Sequence, residues 1–255
     1  MTSLTYRPLL LLPVSFVVLW LSAWVGAVGF KRLKSHIAEL HEDFVVVQGA
    51  TLTLLGLIIG FTFSMALTRY DQRKNYEEGE ANAIGTEYVR TDLLPQAEAA
   101  KVRALLLCYL EQRVLFYTTQ HDQELQQINA RTAKLQNEMW SAVQVPATAQ
   151  PTPVMALVVA GMNDVLNSQG YSQAAWLNRI PVGAWALMLA IAICATMLVG
   201  VGAHSAREGR GLLMILPLVV SIAFFLIADI DAPRLGVIRV IPQNLEILLQ
   251  SLRGQ

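Results

Sequence analysis

Arg69, Asp71, Arg73, Lys74, Glu77, Glu78, Glu80 and Glu87 follow one another within a short segment. They come directly behind an apolar run that carries no turn residue before the charge begins. Opposite charges three or four apart on a helix meet at its surface, as Arg73–Glu77 and Lys74–Glu78 would, and each pair adds about 0.2–0.5 kcal/mol. The same side chains, repeated once per subunit around an axis, would form charged rings at a pore mouth. Arg69, Arg73 and Glu80 are candidates for that role. Asn82 lies between Ala81 and Ala83, a small-residue stretch that suits contact with a neighbouring subunit. A second acidic pair, Asp229 and Asp231, ends the last apolar run in the segment DIDAPR. Acids at a membrane edge bind cations or a basic partner. They also cap turns, here with Arg234 as a partner, and that is the reading we favour.

No nucleophile, base and acid stand together in the sequence. His36 and His41 are five apart and do not share a helix face; His121 and His204 are isolated. There is no glycine-rich phosphate loop. Cys108 and Cys194 lack metal-ligand spacing and are expected to be small buried apolar residues. We therefore expect no enzyme, no metal and no cofactor. Formal net charge is zero, so no basic field points to nucleic acid.

The elements that must position these groups are written in the composition. Of 255 residues, 54% are hydrophobic and 15% charged, against about 25% charged in soluble domains. Segments 8–30, 44–68, 180–206 and 211–228 lack Asp, Glu, Lys and Arg. A bilayer span needs about 20 apolar residues, so the pattern predicts four transmembrane helices. The first is read as a retained span rather than a cleaved leader. Its apolar part is long, and Lys31-Arg32-Leu33-Lys34 follows directly. Within the second, Gly56 and Gly60 form a small-xxx-small pair suited to close helix packing. Pro217 is expected to kink the fourth.

Residues 69–180 read as a helical extramembrane domain, rich in Glu, Ala, Gln, Leu and Arg. The second span is expected to continue as one helix to about residue 89. A break follows at Leu94-Pro95, because a residue before proline disfavours helix. A long helix is expected over 95–140, with its second half, 119–140, as a polar arm or packing seam. A proline-rich linker over 143–154 and a short helix ending near residue 170 would follow. Trp176 and Trp185 are placed at the membrane boundary. The domain reading is a first helix pair at 1–68, the helical domain at 69–180, a second pair at 181–230, and a turn with an amphipathic helix at 231–255.

Four spans put both termini and the 69–180 domain on one side. Positive residues near span ends are more numerous there (Arg7, Arg69, Arg73, Lys74, Arg179, Arg234, Arg239) than on the other (Lys31, Arg32, Lys34, Arg207, Arg210). The positive-inside rule makes the richer side cytoplasmic. The first span alone argues the opposite way.

The stretch IIGFTFSMALTRYDQRKNYEEGEANAIG resembles the second span of bestrophin channels and the helix it runs into, with Gly60-Phe61 and Arg69-Tyr70 in register. Together with EANAIGTEYVRTDLLP and DIDAPRLGVIRVIP, the whole chain is similar to bacterial bestrophin-like membrane proteins of unassigned activity. The resemblance implies an all-α, four-span protein in the bacterial inner membrane, with cytoplasmic termini and helical domain. It implies a homo-oligomer, a pentamer in that family, whose second span lines an ion pore. The family's apolar neck falls on Thr53, Leu57 and Phe61, of which only Phe61 keeps an aromatic ring. The acidic calcium clasp of animal bestrophins has no counterpart here. By i+4 and i+3 steps, Thr53, Leu57, Phe61, Ser64 and Thr68 share one face, an apolar constriction between polar ends. The lipid bilayer and inorganic ions are then the partners. The alternative is a membrane-anchored scaffold or sensor that binds a protein through its polar helices and conducts nothing.

Overall fold

The computed structural model describes residues 7–29, 41–203 and 210–254. Helices account for nearly all of them, and no strand occurs among the described residues. In order they are α1 (Pro8–Gly29), α2 (His41–Arg90), a 3-10 turn (Thr91–Leu93), α3 (Gln96–Thr118), α4 (Asp122–Ala149), α5 (Pro153–Leu177), α6 (Val182–Gly202), α7 (Arg210–Asp231) and α8 (Gln243–Arg253). Four helical segments, in α1, the first part of α2, α6 and α7, are long and apolar enough to cross a membrane. The protein is an all-α membrane protein with four such helices and a helical extramembrane part. His36, His204, Lys31, Arg32, Lys34 and Arg207 lie outside the described residues.

The chain divides into two compact units, Met1–Arg69 with Arg179–Arg239, and Tyr70–Asn178 with Val240–Gln255. In the first, α1 packs on α6 and α7. The close approach is made by glycine: a Cβ at Gly26 would collide with the Met197 carbonyl, and one at Gly200 with the Ala23 carbonyl. Small residues let membrane helices come together where apolar burial gives little drive. Ser22 Oγ adds a hydrogen bond to the Ile193 carbonyl at 2.9 Å. Gly26 and Gly200 thus bring α1 and α6 together. A Cβ at Gly56 or Gly60, the pair expected to pack, would meet nothing within 4 Å in the same chain. Trp185, expected at a membrane boundary, is buried edge-on against Phe224, with ring centroids 6.1 Å apart. Cys108 and Cys194 are both exposed, contrary to the buried expectation, because each lies on an outward helix face.

At the end of α7, Asp229 accepts from Val237 N at 2.7 Å and Ile238 N at 2.8 Å. Asp231 accepts from Ile180 N at 3.2 Å and lies 4.0 Å from Arg69 Nη1. These acids therefore hold the exit turn. Inside α7, Ser221 Oγ donates to the Pro217 carbonyl at 2.7 Å.

In the second unit the core is Ile84, Val102, Leu106, Leu110, Phe116, Met139, Met162, Val165, Trp176 and Leu245. Trp176, expected at the membrane boundary, belongs to this core, edge-on to Phe116 and Tyr117 at 5.2 and 5.3 Å. Leu94 is extended and Pro95 caps α3, as the proline predicts. Three boundaries differ from expectation. The 95–140 helix breaks at Thr119, which turns extended and gives its hydroxyl to Glu124. Adjacent β-branched Thr118 and Thr119 weaken a helix without the signal a proline gives. The 143–154 linker is mostly helix, since α4 carries Pro146 in its last turn and ends at Ala149. A proline there removes one hydrogen bond and still permits a helix end. Thr152 then caps α5, accepting from Met155 N at 3.1 Å with Pro153 next to it, and α5 passes through Gly170 to Leu177. The polar 119–140 stretch is no free arm, because Ile128, Leu135 and Met139 are buried in the core.

Candidate functional site on the long helix

At roughly 100° per residue, α2 has two opposed faces. In its apolar part the buried stripe is Leu55, Thr62 and Ala66, each at most 4% exposed. The opposite face carries Thr53, Gly56, Leu57, Gly60, Phe61, Ser64 and Thr68, all exposed, with Phe61 at 65% and Leu57 at 52%. Only 6% of the apolar window of α2 is buried within the chain, against 28% for α1 and 50% for α7. Thr53 Oγ1 donates to the Gly49 carbonyl and Thr68 Oγ1 to the Ser64 carbonyl, each at 2.9 Å. That satisfies the hydroxyl protons within the helix and leaves oxygen lone pairs as acceptors.

Past the apolar part, the same spacing leaves Asp71, Asn75, Glu78 and Asn82 exposed. Arg73, Glu77, Glu80 and Glu87 are on the other face, each at most 1% exposed. Arg73 and Glu80, expected at a pore mouth or subunit contact, are therefore interior residues of their own unit. Arg73 donates from Nε to the Ala175 carbonyl and from Nη2 to the Asn178 carbonyl, both at 3.1 Å. It thus satisfies orphan acceptors at the negative end of α5. Glu77 does the converse. It accepts from Leu245 N at 2.9 Å and Asn244 Nδ2 at 2.7 Å, at the start of α8. Neither charge is the surface residue expected from spacing: Arg73 serves the end of α5 and Glu77 the start of α8.

Glu80 makes a charge-assisted hydrogen bond to Arg113 Nε and accepts from Arg113 Nη2 and Tyr117 Oη, both at 3.3 Å. Arg113 Nη2 also donates to Ser172 Oγ at 3.0 Å, and its guanidinium lies 4.3 Å from the centre of the Phe116 ring. Burial works against the Arg113 charge, but Glu80 beside it more than offsets this and holds the guanidinium above its ordinary value. Burial, then the Glu80 charge, pushes the Tyr109 and Tyr117 phenols up.

Arg69 is half-buried near Asp231, whereas Asn82 is exposed on the open face. Arg113, Ser172 and Tyr117 were not singled out in the sequence. The available signal was a lone arginine within an apolar helical stripe, which is costly to bury unless paired. Among the described residues, no group of His, Cys, Asp and Glu is placed to hold a metal ion.

Four helices long and apolar enough to cross a membrane define an integral membrane protein. The chain belongs to the bestrophin-like family, whose domain matches residues 16–245. Crystal structures of a bacterial bestrophin homologue from Klebsiella pneumoniae share the fold. One mutant form has a TM-score of 0.65 at 12% identity, covering 96% of this chain and 99% of that one. A second has 0.65 at 11%, covering 96% and 97%. A third, solved with zinc phasing, has 0.62 at 12%, covering 95% and 98%. At such identity the likeness concerns the fold alone. No curated protein matches the sequence.

Proposed function

We propose that copies of this chain assemble around an axis lined by the open face of α2 and conduct inorganic ions. The number of copies is five by likeness to the family. The observation that carries this reading is the combination of exposure and residue type on one helix. The apolar part of α2 is almost bare of contacts within the chain. Yet its open face holds Thr53, Gly56, Gly60, Ser64 and Thr68 rather than large aliphatic side chains alone. Hydroxyls facing lipid gain nothing, whereas lining water they supply acceptors. Leu57 and Phe61 form the constriction. Asp71 and Glu78, with Asn75 and Asn82 between and beyond them, would stand as rings once per subunit. Acidic rings favour cations. The membrane is the bacterial inner membrane, with the helical unit and both termini in the cytoplasm. The scaffold alternative was motivated by the polar helix at 119–140, of which Ile128, Leu135 and Met139 face the core.

The test is ion flux through purified protein in liposomes, comparing wild type with Phe61→Ala. Truncating a core phenylalanine costs about 3–5 kcal/mol. Phe61 is 65% exposed, so the variant should assemble normally and pass more ions than wild type. Normal assembly with no flux from either protein overturns the pore.

A further inference from the structure

Glu87 is the one charged residue on the buried face of α2 that serves no partner. It is 0% exposed, and neither carboxylate oxygen has a hydrogen bond. Arg73, Glu77 and Glu80 on the same face each answer a helix end or an arginine. A carboxyl without a partner in a buried site costs free energy in either protonation state, and far more when ionised. An apolar residue would fill the position at no such cost.

The surroundings are shaped for this side chain. Glu87 and Arg90, one turn apart on α2, lie over Gly161 of α5. A Cβ at Gly161 would collide with Glu87 Oε2 and Arg90 Nη1, so only glycine lets the two helices meet with both side chains in place. The charges around the carboxyl are few. Arg90 on its own helix attracts it without forming a hydrogen bond or ion pair, and Asp164 on α5 repels it. Arg103 on α3 is occupied, donating to Thr91 and Asp92 of the 3-10 turn and lying 5.3 Å from the Tyr88 ring centre.

We propose that Glu87 is a proton-operated latch between the end of α2 and α5. With its proton on, the carboxyl stays over Gly161 and the helices remain closed. With its proton off, the carboxylate turns toward Arg90 and water, and the contact opens. Opening therefore releases one proton. Burial, opposed by Arg90 and reinforced by Asp164, pushes the closed-state carboxyl up to about 8, which places the release near neutral pH. Because α2 is also the helix proposed to line the pore, such a latch would make that helix answer to pH. The latch itself does not depend on conduction.

Hydrogen exchange of the full-length chain in detergent, corrected for the intrinsic pH dependence of exchange, reads the opening directly. The segments to follow are 84–90 and 158–165. One proton released per opening makes the opening constant rise about tenfold per pH unit. That rise should run from pH 6 to 7 and level off above pH 8. Glu87→Gln keeps the shape and cannot ionise, so its opening constant should be flat across the range. Gly161→Ala, which displaces the carboxyl, should exchange openly already at pH 6 with little further change. A wild type as flat as Glu87→Gln overturns the latch. So does a Gly161→Ala variant that retains the wild-type pH response.

Discussion

Removing Glu80 separates a structural role from a pore-mouth role. Its carboxylate and the Arg113 guanidinium are both 0% exposed. Glu80→Ala leaves the Arg113 guanidinium with Ser172 Oγ on Nη2, and Nη1 already lacks a hydrogen bond. Breaking one side of a buried pair strands the other charge and costs about 3–5 kcal/mol. At about 2–4 °C per kcal/mol for a chain of this size, the melting temperature should fall by roughly 6–20 °C. Arg113→Met should fall comparably, since Glu80 then keeps only the Tyr117 hydroxyl at 3.3 Å. The double variant Glu80→Leu, Arg113→Met removes both charges from a site already lined by Phe116, and such replacements are neutral or stabilising by about 1–4 kcal/mol. Thermal unfolding in detergent, followed by tryptophan fluorescence, is a suitable assay, because Trp176 packs on Phe116 and Tyr117 beside the pair. A loss below about 1 kcal/mol for Glu80→Ala would refute the buried-pair account. So would a double variant as unstable as either single one.

Gly200→Val should destabilise by about 1–3 kcal/mol or more, since its Cβ meets the Ala23 carbonyl, while Gly60→Ala should leave the chain's own fold unchanged; purified yield and melting temperature compare them. Glu87 carries a carboxyl raised from 4.5 to about 8, so the folded state binds more protons than the unfolded between those values and loses stability as pH rises through them. Glu87→Gln should therefore raise the melting temperature more at pH 8 than at pH 5.

The spans were legible because a bilayer demands a long uncharged run, and that run is visible without any tertiary contact. The turn at Leu94-Pro95 was legible for the same local reason. The break at Thr119 and the helix through Pro146 were not, because paired β-branched threonines stop a helix without a proline's signal and a proline near a helix end need not stop it. For the site, spacing placed Thr53, Leu57, Phe61, Ser64 and Thr68 on one face, and that face is exposed. Spacing could not say which charges beyond it turn inward. Asp71 and Arg73 look equivalent in sequence, yet Arg73 finds the end of α5 and Asp71 finds nothing inside. Likewise nothing in the segment EEGEANAIGTEY marks Glu80 as paired and Glu87 as orphaned, since the partners come from α3 and α5.

Cysteine scanning of α2 tests the pore most directly. Cys108 and Cys194 are exposed and would first be replaced by serine. Single cysteines from 53 to 68 are then reconstituted and treated with a charged, membrane-impermeant thiol reagent while ion flux is recorded. The account predicts block at Thr53, Leu57, Phe61, Ser64 and Thr68, recurring every three or four residues, and none at Leu55, Thr62 and Ala66. Flux untouched at every position on the Thr53–Thr68 face, or blocked only from the Leu55 face, would contradict it.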